Sequence, residues 1–292
     1  MRGGQWQALH LLRGLVRRGH NVRLLAHSDA PLAEAARAEG IAVDSLTRAQ
    51  VREASRGVDL VHAHDARSHG LAVLGARAPL VVSRRVAFPV LRNPFSRWKY
   101  RRAQHYIAVS NAVAAELLAA GVPDAKISIV ADGVEIPESV MPYEERPRPP
   151  VVVAAETSDP AKGSDWARDA AARAGLELQF SAQLADDLQR ARIFLYLSRQ
   201  EGLGSAALLA MARGVPVVAS RVGGLVEVVE HEVTGLLCDN DPEPIAAALR
   251  RIADDPALAA RLSAASRGRA VERYSVDAMV VGTLAAYALV KG

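Results

Sequence analysis

The stretch EGLGSAALLAMARGVPVVAS, from Glu201 to Ser220, combines a glycine turn, a helical segment and a following apolar strand. Gly202 and Gly204 open it, and the small apolar residues up to Gly214 are typical of a buried helix. VPVVAS then has the β-branched composition of a strand in a parallel sheet. Glycines at such a turn let a ligand approach the backbone, and the first N–H groups of a helix attract an anion. The stretch therefore predicts an α/β domain with an anion site at this turn.

The same alternation of short apolar runs and helical segments continues on both sides of this stretch. The runs that predict strands are NVRLLAH, VDLVHAH, APLVVS, HYIAVS and KISIVA, and then VVVAAE, LELQFS and IFLYLS. Helices are predicted for KGSDWARDAAARAG, LADDLQRARI and the segment from Pro242 to Ala253. Alternating strands and helices indicate βαβ units with parallel sheets. We therefore expect an α/β fold of two doubly wound, Rossmann-like domains that face a cleft.

A proline-rich segment marks the boundary between the two predicted domains. EIPESVMPYEERPRPP, residues 135–150, contains five prolines, which exclude a continuous helix or a central strand. We predict a first domain over residues 1–135, a linker over 136–150, a second domain over 151–272 and a C-terminal helix over 273–292 that returns toward the first domain. Gly3 and Gly4 resemble a glycine-rich turn before a helix, yet only two residues precede them. The first domain is therefore expected to lack its first strand.

Charge and cysteine content limit the classes of partner. The 292 residues carry a formal net charge of +4, which suits phosphorylated ligands or an anionic membrane and does not require nucleic acid. Cys238 is the only cysteine, which excludes an internal disulfide and favours a reducing compartment. No secretory signal follows Met1, and the apolar stretch from Met279 to Val290 is too short to cross a bilayer. We expect a soluble, cytoplasmic protein that binds no nucleic acid.

Two charged residues of the second domain are candidates for a ligand site. Glu201 follows a predicted strand, where open α/β sheets bind ligands, and can accept hydrogen bonds from hydroxyl groups. Lys162 precedes a predicted helix and can neutralise a diphosphate. A helix-capping glutamate and a solvated loop lysine are the alternatives. The turn from Gly202 to Ala207 also fits a dinucleotide fingerprint, with Arg221 near a 2′-phosphate, or a purely structural tight turn.

His62 and His64 are the candidate polar residues of the first domain. They lie two residues apart in VHAHD, so a strand places both side chains on one face. A metal site with Asp65 or His69 and a satisfied structural histidine are the alternatives. We predict that His64 is a hydrogen-bonding residue of the active site.

Two further segments each have more than one interpretation. Asp239-Asn240-Asp241 has an Asp-x-Asp spacing that binds divalent metals in some proteins, but it lies where a helix N-cap is expected, and we predict the cap. RNPFSRWKYRR, from Arg92 to Arg102, interleaves basic and aromatic residues. It suits an anionic membrane surface or a phosphorylated acceptor, or else a helix that buries its aromatic side chains. Arg84 and Arg85 carry the same ambiguity.

Several of these stretches together resemble the retaining glycosyltransferases of the GT-B fold, group 1, family 4. RGGQWQALHLLRGLVRRGHNV is similar to the glycine-rich opening and first helix of that family, and DLVHAHD to its strand-end histidine. RRAQHYIAVSNAVAAELLAAGVPDAKISIVADGVE and ERYSVDAM are similar to its segment before the linker and to its final helix. The strongest similarity is YLSRQEGLGSAALLAMARGVPVVASRVGGLVEVVEHEVTGLLCDNDPEPIAAAL, so that the resemblance covers nearly the whole chain.

The resemblance implies a transferase that moves a hexose-like unit from a nucleoside diphosphate sugar to a glycan or lipid-linked acceptor, with retention of configuration. Such enzymes act in cell-envelope polysaccharide synthesis, hold the donor mostly with the second domain, and return their final helix to the first. The implied donor contacts are the phosphates at Gly3 and Gly4, the sugar at His64, the diphosphate at Lys162, and the sugar hydroxyls at Glu201, Gly202, Leu203, Gly204 and Ser205. No metal or other cofactor is implied, because Lys162 and helix N-termini supply the positive charge.

The sequence departs from the family pattern at several positions. Leu209 stands where a second glutamate usually holds the ribose, and no arginine occurs between Arg148 and Arg168, where one usually accompanies the lysine. LELQFS runs almost directly into LADDLQRARI, so the second domain is expected to lack a strand–helix unit. These departures indicate a shortened member with reduced strand count in both domains. A degenerate relative that binds a glycan or a partner without turnover is the alternative.

Overall fold

The computed structural model describes residues 3–91, 93–148 and 151–290. The chain divides into two compact units: unit 1 comprises Met1–Gly133 and Val276–Gly292, and unit 2 comprises Val134–Ser275. Parallel strands alternate with helices in both units. This confirms the predicted α/β fold with parallel sheets in two domains.

Within the described residues, the part of unit 1 that precedes unit 2 contains six α-helices and six strands. The helices are α1 (Gly3–Arg17), α2 (Pro31–Ala38), α3 (Arg48–Ala54), α4 (Ala66–Gly75), α5 (Pro94–Arg102) and α6 (Asn111–Ala119). The strands are β1 (Arg23–Ala26), β2 (Ala42–Ser45), β3 (Val61–Ala63), β4 (Leu80–Arg84), β5 (His105–Ala108) and β6 (Ile127–Ile129). Gly3 and Gly4 lie in the first turn of α1, so the two glycines open this helix as part of it.

The strands of unit 1 form two parallel sheets. β1 pairs with β2, whereas β3, β4, β5 and β6 pair in that order. All four residues of β5 are buried, including His105, because a central parallel strand is covered on both faces. Helix α1 places Leu9 in the core beside the first sheet, and Leu11 and Leu15 in the core beside the second. One helix therefore stabilises both sheets.

In its described residues, unit 2 contains five strands and six α-helices. The strands are β7 (Val151–Ala155), β8 (Glu177–Ser181), β9 (Ile193–Tyr196), β10 (Val217–Ser220) and β11 (Gly235–Cys238). The helices are α7 (Ser164–Ala174), α8 (Leu184–Asp187), α9 (Ser205–Ala212), α10 (Leu225–Val228), α11 (Pro242–Asp254) and α12 (Pro256–Arg273). The parallel strands pair in the order β11, β10, β9, β7, β8, so the direction of winding reverses between β7 and β9. Open α/β sheets bind ligands beyond the carboxyl ends of the strands at such a reversal.

The last helix of the chain, α13 (Val276–Ala288), belongs to unit 1. It packs against α1 at Gly14, where a Cβ would lie 2.3 Å from Cγ2 of Val280. Gln7 of α1 meanwhile exchanges two hydrogen bonds of 2.9 Å with the backbone of Gly133. The continuous segment Val134–Ser275 therefore separates parts of the chain that share one core.

The proline-rich segment before β7 packs against unit 2 over its described residues. Tyr143 is buried in the core of unit 2, and Arg146 is only 2% exposed. The Arg146 guanidinium donates hydrogen bonds to five backbone carbonyl groups, those of Met141, Leu188, Gln189, Ala191 and Arg213. Burial lowers the pKa of Arg146 to about 10, so the group remains charged at neutral pH. This arginine joins the segment to two distant loops.

Helix α8 is much shorter than the predicted helix over LADDLQRARI. It ends at Asp187, because the carbonyl groups of Leu188, Gln189 and Ala191 accept hydrogen bonds from Arg146 instead of continuing a helix. Strands β2 and β11 and helix α12 have no counterpart among the predicted elements. Among the described residues, no helix is both long and apolar enough to span a membrane.

Replacing Arg146 by methionine should destabilise unit 2 by about 2–4 kcal/mol. The five carbonyl groups would lose a charged donor inside the protein, where water does not replace it. Urea unfolding followed by far-ultraviolet circular dichroism measures the change in unfolding free energy. The exposed Arg148→Met is the matched control and should change it by less than about 0.5 kcal/mol. Equal stability of the two variants would contradict the anchoring role of Arg146.

Candidate functional site

A cavity lies at the carboxyl ends of β7 and β9, where the winding of the unit 2 sheet reverses. Its volume is about 220 Å3, and its walls include Ala155, Thr157, Phe180 and Ala206. Lys162 and Tyr196 add polar groups to a mostly apolar lining. Both the position and the composition are typical of a small-molecule site in an open α/β sheet.

Lys162 and Glu201, the two charged candidates of the second domain, are in direct contact. Lys162 Nζ donates to Glu201 Oε2 at 2.5 Å, and the Tyr196 hydroxyl donates to the same oxygen at 2.7 Å. The backbone N–H of Gly202 donates to Oε1 at 3.1 Å. Burial and the nearby Glu201 charge raise the pKa of Tyr196 far above its ordinary value, so the phenol keeps the proton that it donates. The carboxylate is thereby held in one orientation by three donors.

Two glycines with positive φ angles position the loops of this site. Gly163 (φ 65°) follows Lys162 and is the N-cap of α7, and a Cβ there would lie 2.7 Å from the ring of Trp166. Gly204 (φ 107°) is the N-cap of α9, and a Cβ there would lie 2.5 Å from Leu225 Cδ2. Only glycine adopts these backbone angles without strain and also fits the space. Because Gly204, the N-cap of α9, has no side chain, it supplies no side-chain cap to the first N–H groups of this helix.

The backbone around Glu201 is held by close contact with a second pair of glycines. Gly224 N–H donates to the Glu201 carbonyl at 3.0 Å. A Cβ on Gly223 would lie 2.1 Å from that carbonyl oxygen, and a Cβ on Gly224 would lie 2.2 Å from the Gly202 carbonyl oxygen. The two loops are therefore in backbone contact, and neither can move without the other.

Polar side chains beneath the Glu201 loop join the ends of three strands. The hydroxyl of Ser220, the last residue of β10, accepts from the Ser198 N–H at 2.9 Å and donates to Asn240 Oδ1 at 2.5 Å. Asn240, after β11, donates in turn to the Ser198 carbonyl at 2.9 Å. Ser198 and Ser220 are fully buried. This closed network fixes the segment that leads into Glu201.

Two residues of the site were missed by sequence reasoning. Tyr196 could have been noticed as a hydroxyl at the carboxyl end of an otherwise apolar strand, on the side of the sheet where ligands bind. Arg199 donates its N–H to the Ala161 carbonyl at 2.8 Å and places its guanidinium 5.3 Å from the ring centre of Trp166. It therefore supplies an arginine beside the Lys162 loop, but from a different loop from the one expected. Nothing in the local sequence indicates this proximity.

The histidines of unit 1 form a second polar cluster. The His62 and His64 rings lie with their centres 4.0 Å apart at the carboxyl end of β3. His62 Nδ1 lies 2.6 Å from the Tyr287 hydroxyl of α13, and its Nε2 lies 2.8 Å from the Ser83 hydroxyl. Burial, with the positive charge of Arg85, lowers the pKa of His62 to about 3, and burial lowers that of His64 well below its ordinary value. Both rings are therefore neutral at physiological pH.

Arg85 determines which nitrogen of His64 carries the proton. Its Nε donates to Asp132 at 2.8 Å, and its Nη1 lies 3.3 Å from His64 Nδ1. A guanidinium group can only donate, so Nδ1 of His64 is the acceptor. The neutral ring then carries its proton on Nε2, and His64 offers an N–H donor at that atom.

The other predicted contact residues have varied environments. Gly4 lies near the same cluster, since a Cβ on this residue would lie 4.0 Å from Arg85 Cδ, whereas a Cβ on Gly3 would meet nothing within 4 Å. Leu203 is buried, so that only its backbone faces the turn, and Ser205 is the first residue of α9. Leu209 is half-buried in the second turn of α9.

Three acidic or basic candidates have structural partners. Asp65 caps α4 through the N–H groups of Arg67 and Ser68, and Asp241 caps α11, as predicted. Arg221 donates to the Leu237 carbonyl at 3.0 Å. Across residues 3–91, 93–148 and 151–290, no three His, Cys, Asp or Glu side chains are grouped as metal ligands would be.

Two family models match the two halves of the chain. Residues 1–137 match Glycosyltransferase Family 4, and residues 142–269 match Glycosyl transferases group 1. Each half of the chain is thus similar to a glycosyltransferase domain, the first to Family 4 and the second to group 1.

Individual relatives are similar over shorter stretches. The α-1,3/1,6-mannosyltransferase ALG2 of Homo sapiens is 37% identical over 84 residues, which are 29% of this chain and 20% of that protein. The D-inositol 3-phosphate glycosyltransferase of Streptomyces avermitilis is 43% identical over 94 residues, which are 32% of this chain and 19% of that protein. The matched part spans about a fifth of the length of these curated relatives.

Solved structures share the fold over almost the whole chain. The crystal structure of Anabaena HepE in complex with UDP and glucose superposes with a TM-score of 0.78 at 19% identity. The superposition covers 98% of this chain and 96% of that one. It establishes the GT-B type of two-domain α/β fold.

Replacing Gly224 by alanine should lower the unfolding free energy of unit 2 by about 1–3 kcal/mol. The new Cβ would overlap the Gly202 carbonyl oxygen, and neither loop can yield without breaking the Gly224–Glu201 hydrogen bond. Thermal unfolding measures the loss, and hydrogen exchange of the amides of residues 201–204 should become faster. Gly268→Ala, in an open position of α12, is the control and should stabilise by about 0.5–1 kcal/mol. A Gly224→Ala protein as stable as the parent would refute the contact.

The protein should lose stability as the pH falls from about 6.5 towards 3, because buried histidines must become protonated. In the unfolded chain histidine titrates near pH 6.5, whereas His62 in the folded protein titrates at about 3, so acid favours unfolding. His62→Gln should reduce the slope of unfolding free energy against pH by about 1 kcal/mol per unit between pH 6 and 4. His27→Gln, which removes an exposed imidazole, is the control. An unchanged slope for His62→Gln would show that His62 is not buried in its neutral form.

Proposed function

Because its two halves match Glycosyltransferase Family 4 and Glycosyl transferases group 1, we propose that this protein is a glycosyltransferase that uses a nucleoside diphosphate sugar. The observation that carries the proposal is that Lys162 and Tyr196, which line the cavity at the reversal point of the unit 2 sheet, both donate hydrogen bonds to Glu201. The complex of Anabaena HepE, which has the same fold, contains UDP and glucose.

The diphosphate of the donor would bind at Lys162. The Lys162 ammonium group is held by Glu201, close to the start of α9, where backbone N–H groups favour an anion. Arg199 adds a second positive charge beside the Lys162 loop. Positive charge held in place there would stabilise the diphosphate as it leaves, which lowers the barrier of the transfer step.

The sugar would be held by Glu201 and by the turn that follows it. Three donors fix the carboxylate, so it would accept hydroxyl hydrogen bonds without first being ordered. The backbone from Gly202 to Ser205 would supply donors. Leu209 cannot hold ribose hydroxyls, and the loss of such a contact weakens binding by about 1–3 kcal/mol, which is roughly ten- to a hundredfold.

Residues of unit 1 would complete the reaction. Gly3 and Gly4, in the first turn of α1, would approach the donor phosphates. His64 would donate from Nε2 to the reacting sugar, because its Nδ1 is engaged by Arg85. A neutral histidine of lowered pKa acts as a hydrogen-bond donor and not as a cation.

The finer features of the reaction are proposals as well. We infer transfer of a hexose with retention of configuration to a polysaccharide or a lipid-linked acceptor, in cell-envelope synthesis at the cytoplasmic side of the membrane. The acceptor would be bound by the domain over residues 1–135, and the donor by the domain over 151–272, without a metal. A non-catalytic relative is the less favoured alternative, since the named relatives are transferases.

Calorimetry and thermal shift with UDP, GDP, ADP, CDP and their sugar conjugates test this proposal. We expect one nucleotide sugar to bind, and Lys162→Met and Glu201→Gln each to weaken that binding at least about tenfold. Lys126→Met, a lysine of unit 1, is the matched control and should bind normally. If the folded parent protein binds none of these nucleotides and nucleotide sugars, the proposed donor site is contradicted.

Turnover separates the enzyme from the non-catalytic alternative. With the donor found by binding, transfer to glycan or lipid-linked acceptors is followed by release of the nucleoside diphosphate. Nuclear magnetic resonance of the product reads the anomeric configuration, and retention is expected. Near-parental transfer by Lys162→Met or Glu201→Gln would remove these residues from the site.

A further inference from the structure

Helix α5 of unit 1 turns its aromatic side chains outward. Phe95 is 61% exposed and Trp98 is 39% exposed, with ring centres 5.7 Å apart, and no residue of α5 is buried. The stripe that faces the protein instead contains Lys99, whose Nζ donates to the Ala66 carbonyl at 2.9 Å, and Tyr100. The interpretation in which this helix buries its aromatic rings is therefore wrong for Phe95 and Trp98.

The loop before α5 extends this apolar surface. Val86, Phe88 and Leu91 are 46%, 62% and 74% exposed. Arg84 donates to the Phe88 carbonyl and, at 2.9 Å, to the Tyr100 hydroxyl, so one side chain joins the loop to the helix. The loop residues and the outer face of α5 are thus held together as one surface.

Positive charge surrounds the exposed aromatic and aliphatic groups. Residues 66–115 contain nine Lys and Arg residues and no Asp or Glu. The remainder of the chain contains 27 Lys and Arg residues and 32 Asp and Glu residues. The positive net charge of the protein therefore comes entirely from this part of unit 1. Arg97, Arg101 and Arg102 are exposed on α5, and Arg102 lies 5.5 Å from the centre of the Trp98 ring. Arg92 lies outside the described residues.

We propose that this surface, formed by residues 86–91 with Phe95, Arg97, Trp98, Arg101 and Arg102, docks on an anionic lipid bilayer. The arginines contact lipid headgroups, and Leu91, Phe88, Phe95 and Trp98 enter the boundary between headgroups and acyl chains. Exposed apolar side chains beside clustered cations are the two features that interfacial binding combines.

A water-soluble polyanion accounts for only half of these features. A nucleic acid or a phosphorylated glycan would pair with the arginines, but it gives no reason for an aliphatic side chain such as Leu91 to remain largely exposed. A bilayer removes both kinds of group from water in one step.

The inference deepens the proposed function by naming the surface on which a lipid-linked acceptor would be reached. Only the purpose of the surface rests on the proposed function, because lipid binding is measured without donor or acceptor. A failed lipid-binding test therefore does not contradict the glycosyltransferase proposal, and a failed donor-binding test does not contradict lipid binding. Nucleotide binding of every variant in the absence of lipid serves as the separate readout.

Cosedimentation of the full chain with vesicles tests the proposal. We expect binding to vesicles of phosphatidylglycerol and phosphatidylcholine, and little binding to phosphatidylcholine alone. Arg97→Glu/Arg101→Glu and Leu91→Ser/Phe95→Ser should each weaken binding by about tenfold or more. The controls are Arg48→Glu/Arg52→Glu, the same spacing on exposed positions of α3, and Leu289→Ser, an exposed leucine of unit 1.

Tryptophan fluorescence reports insertion directly. Lipids brominated in the acyl chains should quench the bound protein, and this quenching should be lost in Trp98→Phe and kept in Trp6→Phe. No binding to anionic vesicles, or binding that depends on the arginines but not on Leu91 and Phe95, would overturn the proposal. The second result would indicate a site for a soluble polyanion.

Discussion

The backbone contact between residues 201–202 and residues 223–224 is the constraint on which the candidate site depends. Because no side chain separates the two loops, the Glu201 carbonyl is fixed by the Gly224 N–H, and the carboxylate above it can be fixed by Lys162, Tyr196 and the Gly202 N–H. The buried serine–asparagine network fixes the same loop from below. The charged groups therefore occupy positions set by backbone packing, which is the condition for electrostatic preorganisation.

The two polar clusters of the molecule follow the same design with different chemistry. In unit 2 a carboxylate receives three donors and stays available as an acceptor. In unit 1 a guanidinium, itself held by Asp132, directs the single proton of a neutral histidine to the opposite ring nitrogen. One cluster thus offers an acceptor and the other a donor, and each lies at the carboxyl ends of parallel strands, where the sequence directs polar residues after apolar runs.

Sequence patterns predicted the features that depend on local composition. Apolar β-branched runs indicated most of the strands, and residues at the ends of those runs indicated Lys162, Glu201 and the histidine pair. Features created by distant contacts were not predictable in this way. The length of α8 depends on Arg146, about 40 residues earlier, and Arg199 and Tyr196 join the site only through packing between loops. β11 (GLLC) contains no β-branched or aromatic residue and so lacks the composition that indicated most other strands, and Gly3 and Gly4 adopt helical geometry despite their composition.

The position of α13 has a consequence for biosynthesis. Its Val280 and Tyr287 complete the core and the histidine cluster of unit 1, yet they are made after all of unit 2. While the ribosome synthesises residues 134–275, the surface of α1 around Gly14, together with Leu11 and Leu15, has no covering helix. Unit 2 is a continuous segment whose first residue, Val134, donates its N–H to the carbonyl of Tyr274, one residue before its end, so it can fold in that interval. Unit 1 can therefore complete its core only after unit 2 has been synthesised, and until then the apolar surface of α1 is exposed to chaperones.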